Sequence, residues 1–388
     1  MNILYIGAFP PAFLVNRSSG KIDSLYRASE AIITGLCSQE GVNVSVITSP
    51  DIASWPRGPL YLQREEIEAE DLTLVSSLNI SLVKQIWTIL SMIKESRKII
   101  KKADGKIVVV IPYVVFRHVL TLRLLKLLYP KKVIQACVVP DVFFPNNWLL
   151  KRVNSMTEKM AAKFDAFVLY TQKMAEHFHI KDGHYEVIEG FREVSDRMPE
   201  KSDVFKVVYA GSLNLNYGVG RLVESFSQIK DADIQLHLYG AGTAENLIKE
   251  RSAKDKRIVF HGRVSNAEAT DAVYGASALI NPRNYYDGEY TEYSFPSKDI
   301  EYMATGIPAL LCVLPGMPKE YQGRFVDMGD GSPGQIAAAI QKVKAMSSQE
   351  RERIGKKAKD FITERMDCHK QGQCITNLFN RVINYSIC

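Results

Sequence analysis

A lysine and a glutamate three residues apart, Lys298 and Glu301, form the most informative pair of side chains in the sequence. They lie on a predicted helix, residues 298–304, which follows a predicted loop at residues 294–297. Unpaired amides at the start of a helix favour a bound anion, whereas the helix dipole disfavours a cation there. Lys298 in the first turn therefore predicts a bound diphosphate, and Glu301 near the same face predicts an acceptor for two ribose hydroxyls. The alternative is a surface helix with ordinary charges.

The segment around this pair, residues 294–308, resembles the nucleotide-sugar site of family 4 glycosyltransferases, particularly members in which Phe-Pro-Ser-Lys is followed by Glu-Tyr. These enzymes have the GT-B architecture, in which two Rossmann-like domains face each other across a cleft and the last helix returns to the first domain. The resemblance implies an α/β fold and a retaining enzyme that moves a sugar from a nucleotide diphosphate to an acceptor. It also implies that Phe295, Pro296 and Ser297 contact the donor and that Lys298 has a catalytic role.

One of the two glutamates that the family uses for the donor is absent from its expected position. Family members have two glutamates eight positions apart, of which the second binds the ribose and the first usually contacts the donor sugar. Glu301 matches the second position, whereas Tyr293 occupies the first and Glu292 lies beside it. The aromatic and acidic stretch 285–293 is interpreted either as a sugar-contacting loop or as a mobile surface loop.

Three further loops in the second half of the chain are candidates for the donor site. Gly211 and Ser212 follow a predicted strand, where glycine lets the backbone approach a phosphate, and a simple turn is the alternative. The matching family loop commonly supplies an arginine and a lysine, but leucine and asparagine occupy those positions here. Arg263 and Val264 resemble the family loop whose backbone binds the base. For the Arg263 side chain three interpretations stay open: it lies over the base, it pairs with phosphate, or it is solvated. Arg283 follows a predicted strand, at the edge where open α/β sheets place ligands.

The first half of the chain offers three more candidates, of which Asp141 and His118 are assigned as catalytic. Gly20 lies in a loop longer than a minimal Rossmann turn, where the family has a loop that approaches the donor phosphates or the acceptor. Asp141 follows a predicted strand and matches a family aspartate that contacts the donor sugar, with a helix N-cap as the competing role. His118 is predicted near the same edge, although a lone histidine is more often structural.

The elements that must position these residues alternate between strand and helix along the chain, which predicts parallel sheets with right-handed crossovers. Strands are predicted at 2–7, 43–48, 106–111, 132–138, 166–170, 185–188, 205–210, 233–239, 258–261, 276–281 and 309–313. Helices are predicted at 21–38, 80–102, 116–128, 149–163, 172–178, 218–229, 243–252, 267–274, 298–304, 334–345, 348–366 and about 374–385. The predicted organisation is an acceptor domain at 1–190, a linker at 191–203, a nucleotide-sugar domain at 204–370 and a helix at 371–388 that packs on the first domain.

Composition is that of an ordinary soluble globular chain, with 46% hydrophobic and 24% charged residues. The six cysteines form no CxxC pair, which favours a reduced cytoplasmic setting over disulfides or zinc. The sequence enters a predicted strand directly, so no signal peptide is expected, and its longest apolar run, 107–116, is too short to span a membrane. No His, Cys and Asp cluster has metal-ligand spacing, and Asp231-Ala-Asp233 is interpreted as a surface turn, so neither a metal nor another cofactor is expected.

Basic residues are concentrated in one segment, although the net charge of the whole chain is only +6. Residues 84–132 hold twelve lysines and arginines against Glu95 and Asp104, a net charge of +10, together with many leucines and isoleucines. This pattern is typical of contact with an anionic membrane surface, and equally of helices that bury their apolar faces and solvate their lysines. In the first case the protein is peripheral on the inner face of the membrane. Nucleic acid is not an expected partner, because no binding motif accompanies the charge.

The expected activity is glycosyl transfer in the synthesis of a surface polysaccharide or glycoconjugate, with a nucleotide-diphosphate sugar as donor and a glycan or lipid-linked acceptor. A Rossmann oxidoreductase is disfavoured because Gly7-Ala-Phe-Pro-Pro follows the first strand in place of a GxGxxG motif. A non-catalytic, sugar-nucleotide-binding partner subunit stays open, because the missing glutamate and the missing Arg/Lys loop are what a decayed enzyme would show.

Overall fold

The computed structural model describes residues 1–7, 24–49, 52–67, 71–191, 194–200, 204–293 and 295–385. The chain divides into two units, of which the first combines Met1–Glu193 with Met366–Cys388 and the second is Val194–Arg365. Each unit contains a largely parallel sheet with helices packed against it.

Strands and helices alternate along the chain, as the sequence predicts. The strands are β1 (Asn2–Gly7), β2 (Asn43–Thr48), β3 (Tyr61–Leu62), β4 (Glu65–Ile67), β5 (Leu72–Leu74), β6 (Ser77–Leu78), β7 (Ile107–Ile111), β8 (Val133–Val139), β9 (Ala166–Leu169), β10 (Tyr185–Val187), β11 (Phe205–Ala210), β12 (Ile234–Tyr239), β13 (Ile258–Gly262), β14 (Ala278–Ile280), β15 (Ala309–Leu311) and β16 (Val326–Asp327). The α-helices are α1 (Ser24–Cys37), α2 (Ser81–Lys102), α3 (Phe116–Leu128), α4 (Trp148–Ala161), α5 (Gln172–His177), α6 (Val219–Ser225), α7 (Glu245–Lys254), α8 (Asn266–Tyr274), α9 (Ser297–Met303), α10 (Pro333–Ala345), α11 (Ser348–Arg365) and α12 (Cys368–Tyr385).

The strands that the sequence analysis did not predict are the short ones, β3 to β6 and β16. Each has two or three residues, which is too few to show the period-2 pattern that identifies a strand. The last helix begins at Cys368, ahead of the predicted start near residue 374.

The first unit contains an eight-stranded sheet with the order β10-β9-β8-β7-β1-β2-β5-β4. Neighbouring strands pair parallel except β4, which runs antiparallel to β5, and β3 and β6 form a separate antiparallel pair. β7 and β8 are buried over their whole length, and apart from Gln135 in β8 all their residues are apolar. A parallel strand covered on both faces has no solvent side, so its sequence does not alternate, and the sequence pattern identifies it as a continuous apolar run.

The helices of the first unit form two groups. α2 packs on α3 and α3 packs on α4, while α1 packs on α12. The crossing of α1 and α12 is close, because a methyl group at Gly372 would lie 2.0 Å from the carbonyl oxygen of Gly35. α12 is also tied to the strand region of this unit by an ion pair of 2.8 Å between Arg381 and Glu186.

The second unit contains a six-stranded parallel sheet with the order β13-β12-β11-β14-β15-β16. Following the chain from β11, the strands β12 and β13 lie on one side of β11, and β14 and the later strands lie on its other side. This is the doubly wound Rossmann order. In the first unit the same reversal falls between β1 and β7. The core of the second unit is apolar and includes Val207, Leu236, Leu238, Ile280 and Leu310.

The basic segment 84–132 is only partly a surface in the structure. Lys84 is buried, and its Nζ donates a hydrogen bond to the carbonyl oxygen of Ile52. Lys126 Nζ donates to the carbonyl oxygen of Val133. Of the apolar residues in the segment, some are buried and others remain exposed. The buried ones include Ile89, Met92, Leu122 and Leu125, and the exposed ones include Ile86, Trp87, Leu90, Phe116, Leu127 and Leu128. Part of the segment is therefore buried, as the alternative of helices that bury their apolar faces predicts, and Lys84 is not a surface cation. Contact of the remaining surface with an anionic membrane stays a prediction.

No helix in the described ranges of the chain is both long enough and apolar enough to cross a membrane.

Candidate functional site

The second unit brings together two loops at the point where its sheet reverses. Gly211 and Ser212 directly follow β11, and Asn281 and Arg283 follow its neighbour β14. Doubly wound sheets bind ligands outside the carboxyl ends of their strands at this reversal, because the helices that follow the two strands leave on opposite faces. The strand order therefore places Gly211, Ser212 and Arg283 where such a sheet holds a ligand.

Glycines hold three strand-end loops against one another. The amide of Gly211 donates to Tyr239 O at 2.9 Å, and the amide of Gly240 donates to Gly262 O at 2.7 Å. Gly240 has φ +133°, and a methyl group there would lie 1.8 Å from the carbonyl oxygen of Gly211. Only glycine fits such a contact, so the backbone of these loops forms a continuous wall along the strand ends.

Helix α9 is fixed beside the end of β11 by one buried tyrosine. Tyr302 Oη accepts a hydrogen bond from the Ala210 amide at 2.9 Å and donates to the Ala210 carbonyl oxygen at 3.4 Å. Phe295, just before the helix, is buried against Tyr321 with ring centroids 4.7 Å apart. These contacts place the start of α9 next to the loop that begins at Gly211.

Lys298 lies beside the glycine loop, as a shared site requires. A methyl group on Gly211 would lie 3.6 Å from Lys298 Cε. Lys298 Nζ forms an ion pair of 2.8 Å with Glu301 Oε2, and the two side chains are 29% and 26% exposed. Pro296 is buried at the N-cap position of α9, while Ser297, its first residue, is exposed. A diphosphate at this place would compete with Glu301 for the ammonium group.

Arg283 is held between two aromatic rings near the same strand ends. Its guanidinium carbon lies 4.2 Å from the ring centroid of Tyr217 and 5.6 Å from that of Tyr290. Its Nε is buried and has no hydrogen-bond partner among the described residues. The positive charge of Arg283 also acts on Tyr209. Burial raises the pKa of the Tyr209 hydroxyl to about 12, and the Arg283 charge opposes this rise. Arg283 is thus a fixed cation at the reversal point.

Asp299 is a buried acid of this site that the sequence analysis missed. It is 2% exposed, and its Oδ1 accepts a hydrogen bond of 2.6 Å from Asn281 Nδ2. Burial raises the pKa of Asp299 to about 7, against the opposing effects of the Asn281 hydrogen bond and the Arg283 charge. The spacing held a signal: Asp299, Tyr302 and Met303 follow the i, i+3, i+4 pattern of one helix face, and that face is buried.

The loop after β13 presents Arg263 and Val264 at the edge of the sheet. Arg263 is exposed and Val264 is half-buried, and helix α8 begins directly afterwards with a capping box between Ser265 and Glu268. The capping box fixes the point where the loop ends and the helix begins, because it provides hydrogen-bond partners for amides at the helix start. The rings of His261 and Tyr239 stack beside this loop with centroids 4.0 Å apart.

In the first unit, the structure rules out one of the two roles considered for Asp141. The cap of α4 is Asn147, whose side chain accepts hydrogen bonds from the amides of Leu149 and Leu150. Asp141 is exposed, and its Oδ1 accepts from the amide of the next residue, Val142, at 2.9 Å. The helix-cap role is therefore wrong, while the position of Asp141 after β8, at the carboxyl edge of the sheet, is as predicted.

His118 lies in the first turn of α3, which follows β7 at the reversal point of the first sheet. It is 1% exposed, and neither ring nitrogen has a hydrogen-bond partner among the described residues. Burial and the nearby Arg117 lower the pKa of His118 to about 3, so the ring is neutral at physiological pH. Gly20, the remaining candidate, lies outside the described residues.

In the parts of the chain that the structure describes, no three His, Cys, Asp or Glu residues are arranged to hold a metal ion. The Asp231-Ala-Asp233 sequence forms a turn before β12, in which the Asp233 amide donates to Asp231 Oδ1 at 2.9 Å.

Part of the second unit is similar in sequence to a known protein family. Residues 204–345 match the sequence profile of the family described as Glycosyl transferases group 1. This stretch runs from β11 to α10 and includes the loops at Gly211 and Gly240 as well as Arg283 and the Lys298–Glu301 pair. A search of curated protein sequences finds no match.

Solved glycosyltransferase structures resemble nearly the whole chain in fold. The crystal structure of HepE from Anabaena in complex with UDP has a TM-score of 0.67 and 13% identity, and the match covers 98% of this chain and 100% of that one. The lipopolysaccharide outer core galactosyltransferase WaaB has a TM-score of 0.62 and 16% identity over 99% of both chains. Sucrose-phosphate synthase from Thermosynechococcus elongatus has a TM-score of 0.66 and 15% identity over 99% of this chain and 100% of its own. The chain therefore has the GT-B fold, which confirms the predicted fold class.

Proposed function

We propose that the protein is a retaining glycosyltransferase that moves a sugar from a nucleotide diphosphate to a glycan or lipid-linked acceptor. The observation that carries the proposal is the position of Lys298 beside Gly211, at the reversal point of a Rossmann sheet. It is supported by the family match over residues 204–345. A cation next to glycine-rich strand ends is suited to a diphosphate, because loop amides and the ammonium group act on the same oxygens.

In this proposal the second unit binds the donor. Lys298 and Arg283 neutralise the diphosphate, assisted by the amides of the loop at Gly211 and Ser212, and Glu301 accepts the ribose hydroxyls. Arg263 and the backbone at Val264 contact the base, and the segment from Phe295 to Ser297 shapes the floor of the site. Asp141, His118 and Gly20 are assigned to the donor sugar and acceptor side.

In the proposed transfer reaction, the departing diphosphate also serves as the base that takes the proton of the acceptor hydroxyl. The bond between the anomeric carbon and the diphosphate oxygen breaks, and the acceptor oxygen bonds to the anomeric carbon on the same face. The departing diphosphate oxygen takes the acceptor proton, so no strongly basic side chain is needed. Fixed cations that stabilise the leaving diphosphate then supply the main catalytic effect, and Lys298 and Arg283 are the groups assigned to it.

UDP is the first nucleotide to test, because HepE is described as a complex with UDP. Calorimetric titration of UDP, GDP and ADP into the protein identifies the base. Lys298→Ala should weaken nucleotide affinity by about ten- to a hundredfold, since it removes a charge-assisted contact. Glu301→Ala should weaken it comparably through the ribose.

A second lysine–glutamate pair in the same unit provides the matched control. Lys254 and Glu250 on α7 are exposed and form an ion pair of 2.7 Å. Lys254→Ala and Glu250→Ala should leave nucleotide affinity unchanged. Equal affinities in the α9 variants and these controls would contradict the site assignment.

A non-catalytic sugar-nucleotide-binding subunit is the second candidate, because Tyr293 occupies the place of the first family glutamate. Donor hydrolysis and transfer, measured separately on the same preparation, distinguish the two. Binding of the nucleotide sugar with neither hydrolysis nor transfer to any acceptor would favour the non-catalytic role.

We further infer a cytoplasmic protein that is peripheral on the inner face of the membrane and acts in surface polysaccharide or glycoconjugate synthesis. WaaB, one of the proteins of similar fold, is named as a lipopolysaccharide galactosyltransferase. Within 84–132, the exposed Lys94, Lys101 and Lys102 are surface cations that such a position would use.

A further inference from the structure

Arg221, in the first turn of α6, is a partly buried cation to which the proposed function gives no role. Its guanidinium group contacts the loop after β14, residues 282–293. Arg221 Nη2 donates to the carbonyl oxygen of Pro282 at 3.2 Å and lies 2.8 Å from Asp287 Oδ1. Arg221 Nε donates to the carbonyl oxygen of Gly331, in the turn after β16, at 3.1 Å. One side chain of α6 therefore holds two strand-end loops together.

The Arg221–Asp287 ion pair, named here the clasp, has its acidic side closed to water. The Asp287 side chain is 4% exposed, and its Oδ2 also accepts a hydrogen bond from the Asn284 amide at 2.8 Å. Asn284 is itself buried, and its Nδ2 donates to the carbonyl oxygen of Asp330 at 2.6 Å. Such a charge pair keeps one geometry, because any other arrangement would leave a buried charge without a partner.

Two glycines with positive φ allow these side chains to reach the backbone. A methyl group on Gly218, φ +78°, would lie 2.2 Å from the carbonyl oxygen of Pro282 and 2.6 Å from Arg221 Nη2. A methyl group on Gly331, φ +65°, would lie 2.9 Å from Asn284 Nδ2. A side chain at either position would push the loop away, so the clasp depends on glycine at both.

The clasp anchors the backbone on both sides of Arg283. Pro282, which precedes it, accepts a hydrogen bond from Arg221 through its carbonyl oxygen. Asn284, which follows it, donates its amide to Asp287. Arg283 Nε has no hydrogen-bond partner among the described residues, so the anchored backbone and the two aromatic rings around the guanidinium determine where its charge lies.

We propose that Arg221 is a positioning residue that acts through the clasp to hold the Arg283 guanidinium in place for the leaving diphosphate. This inference rests on the proposed function, in which Arg283 neutralises that diphosphate. Arg221 acts through Arg283 because its own Nε and Nη2 already donate to carbonyl and carboxylate oxygens of the protein. A cation that is held in place beforehand needs no reorganisation when negative charge develops on the leaving group.

Asp287→Asn distinguishes positioning from direct contact between Arg221 and the nucleotide. The measurement is calorimetric titration of the nucleoside diphosphate that binds best among UDP, GDP and ADP. Loss of the carboxylate charge loosens the clasp, so positioning predicts affinity that is weaker by about three- to tenfold. If Arg221 contacted the diphosphate itself, the same change would free a cation for it and strengthen binding, which would refute the proposal.

Arg221→Lys tests whether the forked shape of the guanidinium is needed. A lysine ammonium keeps the charge but cannot take the places of Nε and Nη2 together, so the contact with Gly331 or the contact with Asp287 is lost. Arg221→Lys should therefore weaken nucleotide affinity nearly as much as Arg221→Met, by about three- to tenfold. Full rescue by lysine would show that only the charge matters and would overturn the positioning role.

A double-mutant cycle tests whether Arg221 acts through Arg283. Arg283→Met should weaken nucleotide affinity by about ten- to a hundredfold, because it removes a charge-assisted contact. Arg221→Met added to Arg283→Met should cause no further loss, since no cation is left to position. Additive losses would mean that the two arginines act independently and would refute the proposal.

Arg257 provides the matched control, because it forms the same kind of contact at the opposite edge of the same sheet. It directly precedes β13, its Nη2 lies 2.6 Å from Asp255 Oδ2, and its Nη1 donates to the carbonyl oxygens of Ile229 and Asp231. Arg257→Met should lower the melting temperature about as much as Arg221→Met and leave nucleotide affinity unchanged. An equal loss of affinity in both variants would reduce Arg221 to a support of the fold.

Amide hydrogen exchange without nucleotide separates this inference from the proposed function. In Arg221→Met the amides of residues 284–287 should exchange about tenfold faster or more than in the wild type, and unchanged exchange would refute the clasp. Faster exchange in a protein whose wild type binds no nucleotide would refute the glycosyltransferase and the positioning role with it. Nucleotide binding that responds to Lys298→Ala but not to Arg221→Met would refute the positioning role alone.

Discussion

At the scale of single residues, Asp299 shows how burial gives a charged group an unusual protonation state. Its carboxyl lies against Asn281 in a region where water cannot solvate the anion, so burial outweighs the nearby Arg283 charge. A carboxylic acid that keeps its proton near neutral pH donates as well as accepts hydrogen bonds. The buried side of α9 therefore changes its charge in the physiological pH range.

Asp299→Asn should change how stability depends on pH. The folded-state pKa of about 7 lies above the usual value of 3.8, so between these values only the folded protein keeps the proton. Stability of the wild type therefore falls as pH rises through this window, by up to roughly 4 kcal/mol for this group. The asparagine variant lacks this loss. Its free energy of unfolding in urea, relative to that of the wild type, should therefore increase from pH 5 to pH 8.

Asp255 provides the control for this experiment. The adjacent Arg257 lowers the pKa of Asp255, so the group is ionised in both the folded and the unfolded state above pH 5. Asp255→Asn should shift stability by the same amount at pH 5 and pH 8. If Asp299→Asn behaves in the same way as Asp255→Asn, the carboxyl of Asp299 titrates normally.

Asp141→Asn should lower kcat by about tenfold or more with nucleotide affinity little changed. The reason is that a carboxylate near the anomeric carbon acts mainly on charge that develops in the transition state. Steady-state kinetics and the melting temperature are measured on the same sample. Because Asn147 caps α4, Asn147→Ala should lower the melting temperature and spare kcat. Normal turnover of Asp141→Asn would remove this residue from the mechanism.

At the scale of elements, the candidate site depends on a helix that cannot form alone. α9 has seven residues, fewer than an isolated helix needs in water. Its position comes from the two hydrogen bonds between Tyr302 and Ala210 and from the burial of Phe295. The place of Lys298 is therefore set by contacts on both sides of it, those of Phe295 before the helix and those of Tyr302 near its end.

Tyr302→Phe should weaken both the fold and the site. Loss of the hydroxyl leaves the buried amide of Ala210 without its partner, which costs about 1–3 kcal/mol in urea unfolding. Nucleotide affinity should fall as well, because α9 loses its anchor to β11. Tyr286→Phe is the control, since Tyr286 is exposed and lies in the loop before α9. Unchanged nucleotide affinity in Tyr302→Phe would show that α9 is held by its apolar contacts alone.

At the scale of the whole molecule, the first unit is assembled from both ends of the sequence. α12 packs on α1, and Gln371 Nε2 donates to the carbonyl oxygen of Gly190 at 2.8 Å. The two helices approach closely because glycines, Gly35 and Gly372, lie at their crossing. Folding of the first unit therefore requires residues that follow the whole second unit in the sequence.

Gly372→Ala should destabilise the first unit by roughly 1–3 kcal/mol, because the added methyl group would overlap the Gly35 carbonyl oxygen. Thermal unfolding and limited proteolysis measure the effect, and cleavage should appear first in α1 and α12. The control is Gly220→Ala in α6, where the nearest atom would be 3.5 Å away. That change should be neutral or slightly stabilising, since alanine favours a helix. A Gly372→Ala protein as stable as the control would mean that the helices can move apart without loss.

The sequence by itself determined the alternation of strands and helices, the fold class and the segments at the carboxyl ends of strands. These features are local. A buried parallel strand is a continuous apolar run, and a cation in the first turn of a helix such as α9 is visible within a few residues. The residues of β7 and the Lys298–Glu301 pair could be assigned for this reason.

Only the tertiary structure decided which distant residues meet and which faces are covered. It placed Lys298 beside Gly211, buried Asp299 and Lys84, and gave the cap of α4 to Asn147. It also left the apolar start of α4 in solvent, although the same sequence pattern is buried elsewhere. The physical reason is that burial depends on which elements pack against a face, and those neighbours come from far along the chain, where local periodicity carries no information.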